Sequence, residues 1–378
     1  MIHVLRRPML RRPGLAVVGL LAVLAATGGS WDSAEARTRP RAQKSQKHQV
    51  VTPRTDFGPR YADIVVDTNS GEVLHEAKPD ELRHPASLTK IMTLYLLFEQ
   101  LEAGKVKLDT PLPVSAEASR QHPVKLGLKP GQTITVEEGI KALVTKSAND
   151  AAVVIAEGLA GTEEEFAKLM TRKAKMLGMA NTIYINASGL PAEEQVTTAR
   201  EQAILGRAIQ DRFPDYYRYF ATASFQFRGR EIGNHNALLK TVNGVDGINT
   251  GYTDASGYNL VSSLRRDGKH LVAVVLGGSS NGARDARMRA LLEQGITTAS
   301  KERTAPKIVE VALPEGYEDF VPTRTAKSAD TIPVPVARTE PAATTATGLA
   351  SAKTLQVHAS KPAAANKRHA HRTRSAAR

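Results

Sequence analysis

From residue 61 onward, apolar positions alternate or cluster in ways that predict a mixed fold. Residues 61–67 (Tyr-Ala-Asp-Ile-Val-Val-Asp) read as a strand, 68–71 as a turn and 72–76 as a second strand, together a hairpin. A polar stretch, His84-Pro85-Ala86-Ser87-Leu88-Thr89-Lys90, then enters an apolar, helix-like run at 91–98. Pro85 ends whatever pairing precedes it, because its φ is fixed and it has no N–H. Beyond Gly104 the chain is polar and turn-rich, and 136–144 reads as helix. The apolar run 151–156 predicts a buried helix closing near Gly161. Thr162-Glu163-Glu164-Glu165 and Thr198-Ala199-Arg200-Glu201 read as capping boxes, opening helices to Leu177 and to about Asp211, with Gly178 as the first stop. Strand patterns return at 224–227, 258–264 and 270–276, the last two joined by Arg266-Asp267-Gly268-Lys269, and a closing helix is expected at 284–298. Antiparallel hairpins at both ends of a helical middle give an α+β fold rather than βαβ repeats.

The ends differ in character. Arg6, Arg7, Arg11 and Arg12 precede an apolar run at 14–27 and a small-x-small site at Ala34-Glu35-Ala36, the pattern of a secretory signal peptide over 1–36. Residues 37–55 are basic and aperiodic and read as a flexible linker. The catalytic domain is expected at 56–305. From 306 the composition shifts; 308–311 (Ile-Val-Glu-Val) predicts a strand, but the Ala-, Thr-, Pro-, Lys- and Arg-rich remainder of 306–378 cannot bury a core and is expected to be disordered. No other stretch reads as transmembrane, so the expected location is the periplasm, with the protein free or peripheral at the inner membrane or wall. Net charge is +13, which suits an acidic partner. The absence of cysteine excludes a thiol nucleophile, disulfides and Cys-ligated metal.

The chemistry starts at Ser87 and Lys90. Residues three apart share a helix face, so hydroxyl and amine can meet. A helix N-terminus favours negative charge developing on an oxygen held there, and a serine beside an amine is an activatable nucleophile. Two further motifs follow in order: Ser147-Ala148-Asn149 at the entry to a buried helix, and Asn249-Thr250-Gly251-Tyr252 just before the last hairpin. S-x-x-K, S-x-N and x-T-G in this order are the motif set of the penicillin-recognising serine enzymes. No His-x-x-x-His or comparable cluster points to a metal, and no cofactor is implied.

With 186–190 (Asn-Ala-Ser-Gly-Leu) added, the chain over about 56–300 resembles the D-alanyl-D-alanine carboxypeptidases of the low-molecular-mass penicillin-binding protein family. The resemblance implies an antiparallel sheet flanked by helices, a helical lobe, and an active site between them. It implies removal of the terminal D-Ala from peptidoglycan stem pentapeptides, with β-lactam antibiotics acylating the same serine. Ser87 would be the nucleophile, Lys90 its base, and Ser147 and Asn149 proton shuttle and substrate orienter. The backbone N–H groups of Ser87 and Tyr252 would hold the oxyanion, and Asn249, Thr250, Gly251, Tyr252 and Arg284 would bind substrate. The family's third motif normally begins with lysine, and here it is Asn249. Three readings follow: another cation, Arg284, holds the substrate carboxylate; activity is lowered; or the protein binds wall without hydrolysis. A lysine at 249 is expected to raise turnover. A D,D-endopeptidase acting on cross-links differs only in site shape. A class A β-lactamase would need a further glutamate between the second and third motifs, where Glu193-Glu194 lies without its usual companions. Nucleic acid is not an expected partner; the basic tail suits an anionic wall polymer or lipid.

Overall fold

The computed structural model describes Gly58 and residues 60–313; the expected signal peptide, the linker and the tail beyond 313 lie outside the described residues. The first hairpin forms as expected, from β1 (Ala62–Asp67) and β2 (Val73–Ala77). A 3-10 turn at Ala86–Leu88 leads into α1 (Thr89–Glu102), which is buried on almost every side. The stretch expected to be turn-rich also carries β3 (Pro111–Pro113), α2 (Ala116–Arg120) and β4 (Thr133–Thr135), elements too short to show a hydrophobic period.

The single helix expected at 136–144 is instead α3 (Val136–Lys141) followed by a π-turn at Ala142–Lys146. Such turns are frequent at functional sites, and this one ends at Ser147. Next come α4 (Asn149–Ala160), α5 (Glu163–Met176) and α6 (Ala199–Arg212). Thr162 and Thr198 cap α5 and α6 by accepting from Glu165 N–H and Glu201 N–H. The return arms are put to other use: Glu165 pairs with Lys168, and Glu201 accepts from Asn181 N–H and the Thr182 hydroxyl.

After α7 (Pro214–Tyr217), β5 (Ser224–Phe227) pairs with a partner the sequence did not suggest, β6 (Arg230–Gly233). Then follow α8 (Leu238–Thr241), β7 (Val245–Thr253), β8 (Gly257–Arg266) and β9 (Lys269–Gly278). The last helix, α9 (Asn281–Thr298), starts earlier than expected because Ser280 caps it through Ala283 N–H.

The main sheet is antiparallel, in the order β2-β1-β9-β8-β7. Successive strand residues face opposite sides. On β9, Leu271, Ala273 and Val275 pack with Met288, Leu291 and Leu292 of α9, while Val272, Val274 and Leu276 join the core shared with α1, α4 and α6. Both faces are therefore covered, and β9 reads as one unbroken apolar run. The expected strand at 308–311 does not form. That segment instead lies along the helices: Ile308 packs on the core, Glu310 meets Lys173 and the Tyr95 hydroxyl, and Val311 N–H donates to the Met176 carbonyl. Among the described residues no helix is long and apolar enough to cross a membrane.

Candidate active site

Ser87 sits in the 3-10 turn just ahead of α1, and its hydroxyl is not spent as a helix cap. The turn is held in place by its neighbours. Ala86 has φ +49°, left-handed backbone that costs a non-glycine residue about 1–3 kcal/mol. Gly189 (φ +84°) presses on it so closely that an added Cβ would lie 1.9 Å from the Ala86 carbonyl oxygen. From the sheet side, Gly251 of β7 also comes too near for a side chain; a Cβ there would lie 2.9 Å from Ser87 N. The nucleophile's backbone is thus clamped between two glycines, and Asn259 adds two bonds from below, donating to the carbonyls of His84 and Pro85.

Lys90, one turn into α1, is fully buried. Its Nζ lies 3.0 Å from Ser87 Oγ and 2.8 Å from Asn149 Oδ1, and it also meets the Ser188 carbonyl. Burial pushes its pKa down to about 7, against the opposing pull of Glu163 and Asp150. A neutral amine has two hydrogens and one lone pair. It can donate to Asn149 and Ser188 while accepting from Ser87; as ammonium it donates to all three. The same three contacts therefore serve both protonation states.

Asn149, at the start of α4, is oriented by its other end, Nδ2 donating to the His122 carbonyl at 2.9 Å. Ser147, like Ala86, is in left-handed backbone, with φ +57°. Its Oγ is buried and has no hydrogen-bond partner among the described residues. An orphaned buried hydroxyl costs about 1–3 kcal/mol, a cost that a bound group would relieve.

Ser87, Ser147, Asn149, Thr250, Gly251, Tyr252 and Arg284 line one cleft of about 680 Å³. Lys90 stands behind its wall. Two expectations need correction. Asn249 does not line the cleft: its Nδ2 donates to the Ser87 carbonyl at 2.9 Å and its Oδ1 accepts from Thr250 N–H. It braces the nucleophile's turn rather than facing a substrate, because both ends of its short amide are engaged there. Arg284 does line the cleft, but its guanidinium is paired with Asp285 at 2.7 Å, so it is not a free cation.

Sequence reading missed His235, which also lines the cleft. Its backbone N–H donates to the Thr145 carbonyl in the π-turn. Asn234 and Asn236 on either side are tied to Thr222 and Gly247, so the Asn-His-Asn triplet was a usable signal. Though the residue is exposed, its pKa lies below the usual histidine range, chiefly through lost hydration and then through Lys146, Lys90 and Arg284 nearby. Tyr258 was missed as well; it lines the cleft with its ring tilted against that of Tyr252, ring centres 4.3 Å apart. Among the described residues no group of His, Asp and Glu could hold a metal ion.

A family model described as D-alanyl-D-alanine carboxypeptidase matches residues 59–280. The chain belongs to this carboxypeptidase family. Among its relatives, the D-alanyl-D-alanine carboxypeptidase DacF of Bacillus subtilis is 32% identical over 276 residues, covering 70% of each chain. DacA of Escherichia coli K12 is 38% identical over 241 residues, covering 62% of this chain and 60% of DacA. The chain thus spans between three fifths and somewhat over two thirds of the length of these relatives. The cefotaxime-bound form of penicillin-binding protein D2 from Listeria monocytogenes superposes with a TM-score of 0.57 at 29% identity, over 62% of this chain and 96% of that one.

Proposed function

We infer that this protein is a serine D-alanyl-D-alanine carboxypeptidase that removes the terminal D-Ala from peptidoglycan stem pentapeptides through an acyl-enzyme on Ser87. The observation that carries the reading is the buried amine 3.0 Å from an uncapped serine hydroxyl, with its pKa pushed down to about 7. A general base works best when its pKa lies near the working pH.

In this reading, neutral Lys90 takes the Ser87 proton as Oγ attacks the carbonyl of the penultimate D-Ala. The oxyanion is held by the backbone N–H groups of Ser87 and Tyr252, brought close by the Gly251 contact; one such donor is typically worth about 10²–10³ in rate. The proton passes from Lys90 to the leaving amine by way of Ser147 Oγ, whose missing partner is then the substrate nitrogen. Free D-Ala departs, and water, activated by the same amine, hydrolyses the ester. A β-lactam follows the first half of the path and stays bound, as the cefotaxime-bound relative illustrates for that protein. In this reading the terminal carboxylate docks against Thr250 and His235, which line the cleft together with the Asp285-paired Arg284.

The test is mass spectrometry of the purified protein with penicillin, together with D-Ala release from a peptide ending in D-Ala-D-Ala. One drug-sized adduct and D-Ala release, both lost in Ser87→Ala, support the reading. An adduct without D-Ala release favours a non-hydrolysing relative. Release from cross-linked dimers alone favours an endopeptidase, and rapid adduct turnover a β-lactamase.

The leader-like N-terminus supports action outside the inner membrane, and the basic composition beyond 338 supports attachment to anionic wall polymer or lipid. Sedimentation with purified sacculi that is lost in high salt and on truncation would support the second point; salt-independent sedimentation would remove it.

A further inference from the structure

A carboxylate behind the base has no place in the path just described. Glu163 begins α5, where acidic side chains ordinarily settle against the helix N-terminus. Glu164 and Glu165 occupy the same first turn, yet Glu163 turns away from it. Its Oε1 accepts from Ala187 N–H at 2.9 Å, across to the loop between α5 and α6. That loop reaches α1 through its next carbonyls. The Ala187 carbonyl accepts from the Thr93 hydroxyl at 2.7 Å, and the Ser188 carbonyl accepts from Lys90 Nζ. One carboxylate thus fixes the peptide units that receive both the base and the residue one turn beyond it.

The charges around the base divide unevenly. Two carboxylates act on Lys90: Glu163 from α5 and Asp150 from α4. Asp150 is fully taken up, its oxygens accepting the N–H groups of Leu126, Gly127, Leu128 and Ala151. The other side chains on the amine, Asn149 and Ser87, are neutral. Glu163 accepts a single hydrogen bond among the described residues and is half-buried, lining a second cavity of about 340 Å³ with Glu117 and Ser188. Its pKa is raised, first by lost hydration and then by Glu117 and Glu157, with the Ala187 N–H and Lys90 opposing.

We propose that Glu163 is a positioning residue for acylation: it fixes the 187–188 backbone that receives the Lys90 amine and supplies the negative charge against which that amine must lose its proton. The proposal rests on Lys90 being the base. It assigns Glu163 two separable effects. The hydrogen bond orients the base, and the charge holds the proton on it, keeping the working range near neutrality rather than well below it.

The experiment is the pH dependence of the acylation rate constant with a fluorescent penicillin, measured on the full chain. Wild type should rise with pH about a midpoint near 7, where Lys90 becomes neutral. Glu163→Gln keeps the acceptor for Ala187 N–H and removes the charge. Its plateau rate should stay within about twofold while the midpoint falls by about half to one pH unit. Glu163→Ala removes both, and its plateau should fall at least several-fold. Glu164→Gln, an exposed neutralisation on the same turn, should leave midpoint and plateau alone. A Glu163→Gln midpoint equal to or above wild type, an equal shift in Glu164→Gln, or a full plateau in Glu163→Ala each overturns the proposal. Normal acylation in Lys90→Met would instead remove the reading of Lys90 on which it rests.

Discussion

Gly251→Ala tests whether the close approach of β7 to the Ser87 turn builds the oxyanion pocket. The new methyl would lie 2.9 Å from Ser87 N, 3.2 Å from Ala86 Cβ and 3.2 Å from the Pro85 carbonyl, whereas ordinary contact begins at 3.4 Å. The neighbours that must yield are backbone, and that backbone is locked from the far side by Gly189, where an added Cβ would sit 1.9 Å from the Ala86 oxygen. The turn cannot retreat, so β7 moves, by about half an ångström. Tyr252 N–H, the next residue along, moves with it. A misplacement of about 1 Å can cost on the order of 10²-fold in rate, so half of that predicts roughly tenfold. Overpacking should also cost about 1–3 kcal/mol of stability. The assay pairs stopped-flow acylation by a fluorescent penicillin with thermal unfolding. A loss of stability with an undiminished acylation rate would refute the reasoning, because it would separate the contact from the oxyanion pocket.

Two further perturbations follow from the same geometry. His235→Ala should raise KM for a peptide ending in a free carboxylate by about tenfold while changing kcat little, since loss of one cleft hydrogen-bonding group is worth on the order of 1.4 kcal/mol; an equal loss with a peptide amide would show that the ring does not meet the carboxylate. His270 is buried against Gln210 and Ser263, and burial, followed by Arg265, Arg303 and Arg207, pushes its pKa down to about 3. Its folded pKa lies below the unfolded value, so the unfolded chain binds the extra proton: stability should fall as pH drops from about 6.5 toward 3, by up to about 1.4 kcal/mol per pH unit. His270→Gln should flatten that slope in denaturant titrations, and an unchanged slope would assign it to other groups.

The parts of the fold that could be read from sequence are those with a long period or a strong cap. The hairpin of β1 and β2, the helices capped by Thr162 and Thr198, and the pair of β8 and β9 all lie within a few residues of expectation. The misses are local. β3, β4 and β6 have three or four residues each, too few to alternate visibly. The apolar 308–311 reads as a strand because only Ile308 and Glu310 reach inward, and they do so against helices, with no sheet edge to pair on. In the site, Ser87 and Lys90 were legible because three-residue spacing decides their meeting. Asn249 was legible as a position but not in its direction, since nothing in Asn-Thr-Gly says that the amide turns to the Ser87 carbonyl. His235 offered only its two flanking asparagines as a signal, and Glu163 none, because their roles depend on chain segments brought together only by the fold.

Asn249→Lys sets two effects against each other, and their sizes can be worked out. The substitution removes the acceptor for Thr250 N–H and the donor to the Ser87 carbonyl. An unsatisfied buried group costs about 1–3 kcal/mol, so the variant should melt at a lower temperature. A cation placed beside Lys90 disfavours its charged form and moves the acylation midpoint below 7. The benefit at neutral pH is small, however. With its pKa pushed down to about 7, Lys90 is already neutral in a sizeable share of the molecules at pH 7, so complete deprotonation can raise the acylation rate by less than about tenfold. Any larger gain in turnover must come from the substrate carboxylate, and it would then appear in KM for the D-Ala-D-Ala peptide and vanish for a peptide amide. A gain of tenfold or more that is the same for acid and amide would show that burial does not set the base, and that the charge missing from position 249 was limiting the chemistry itself.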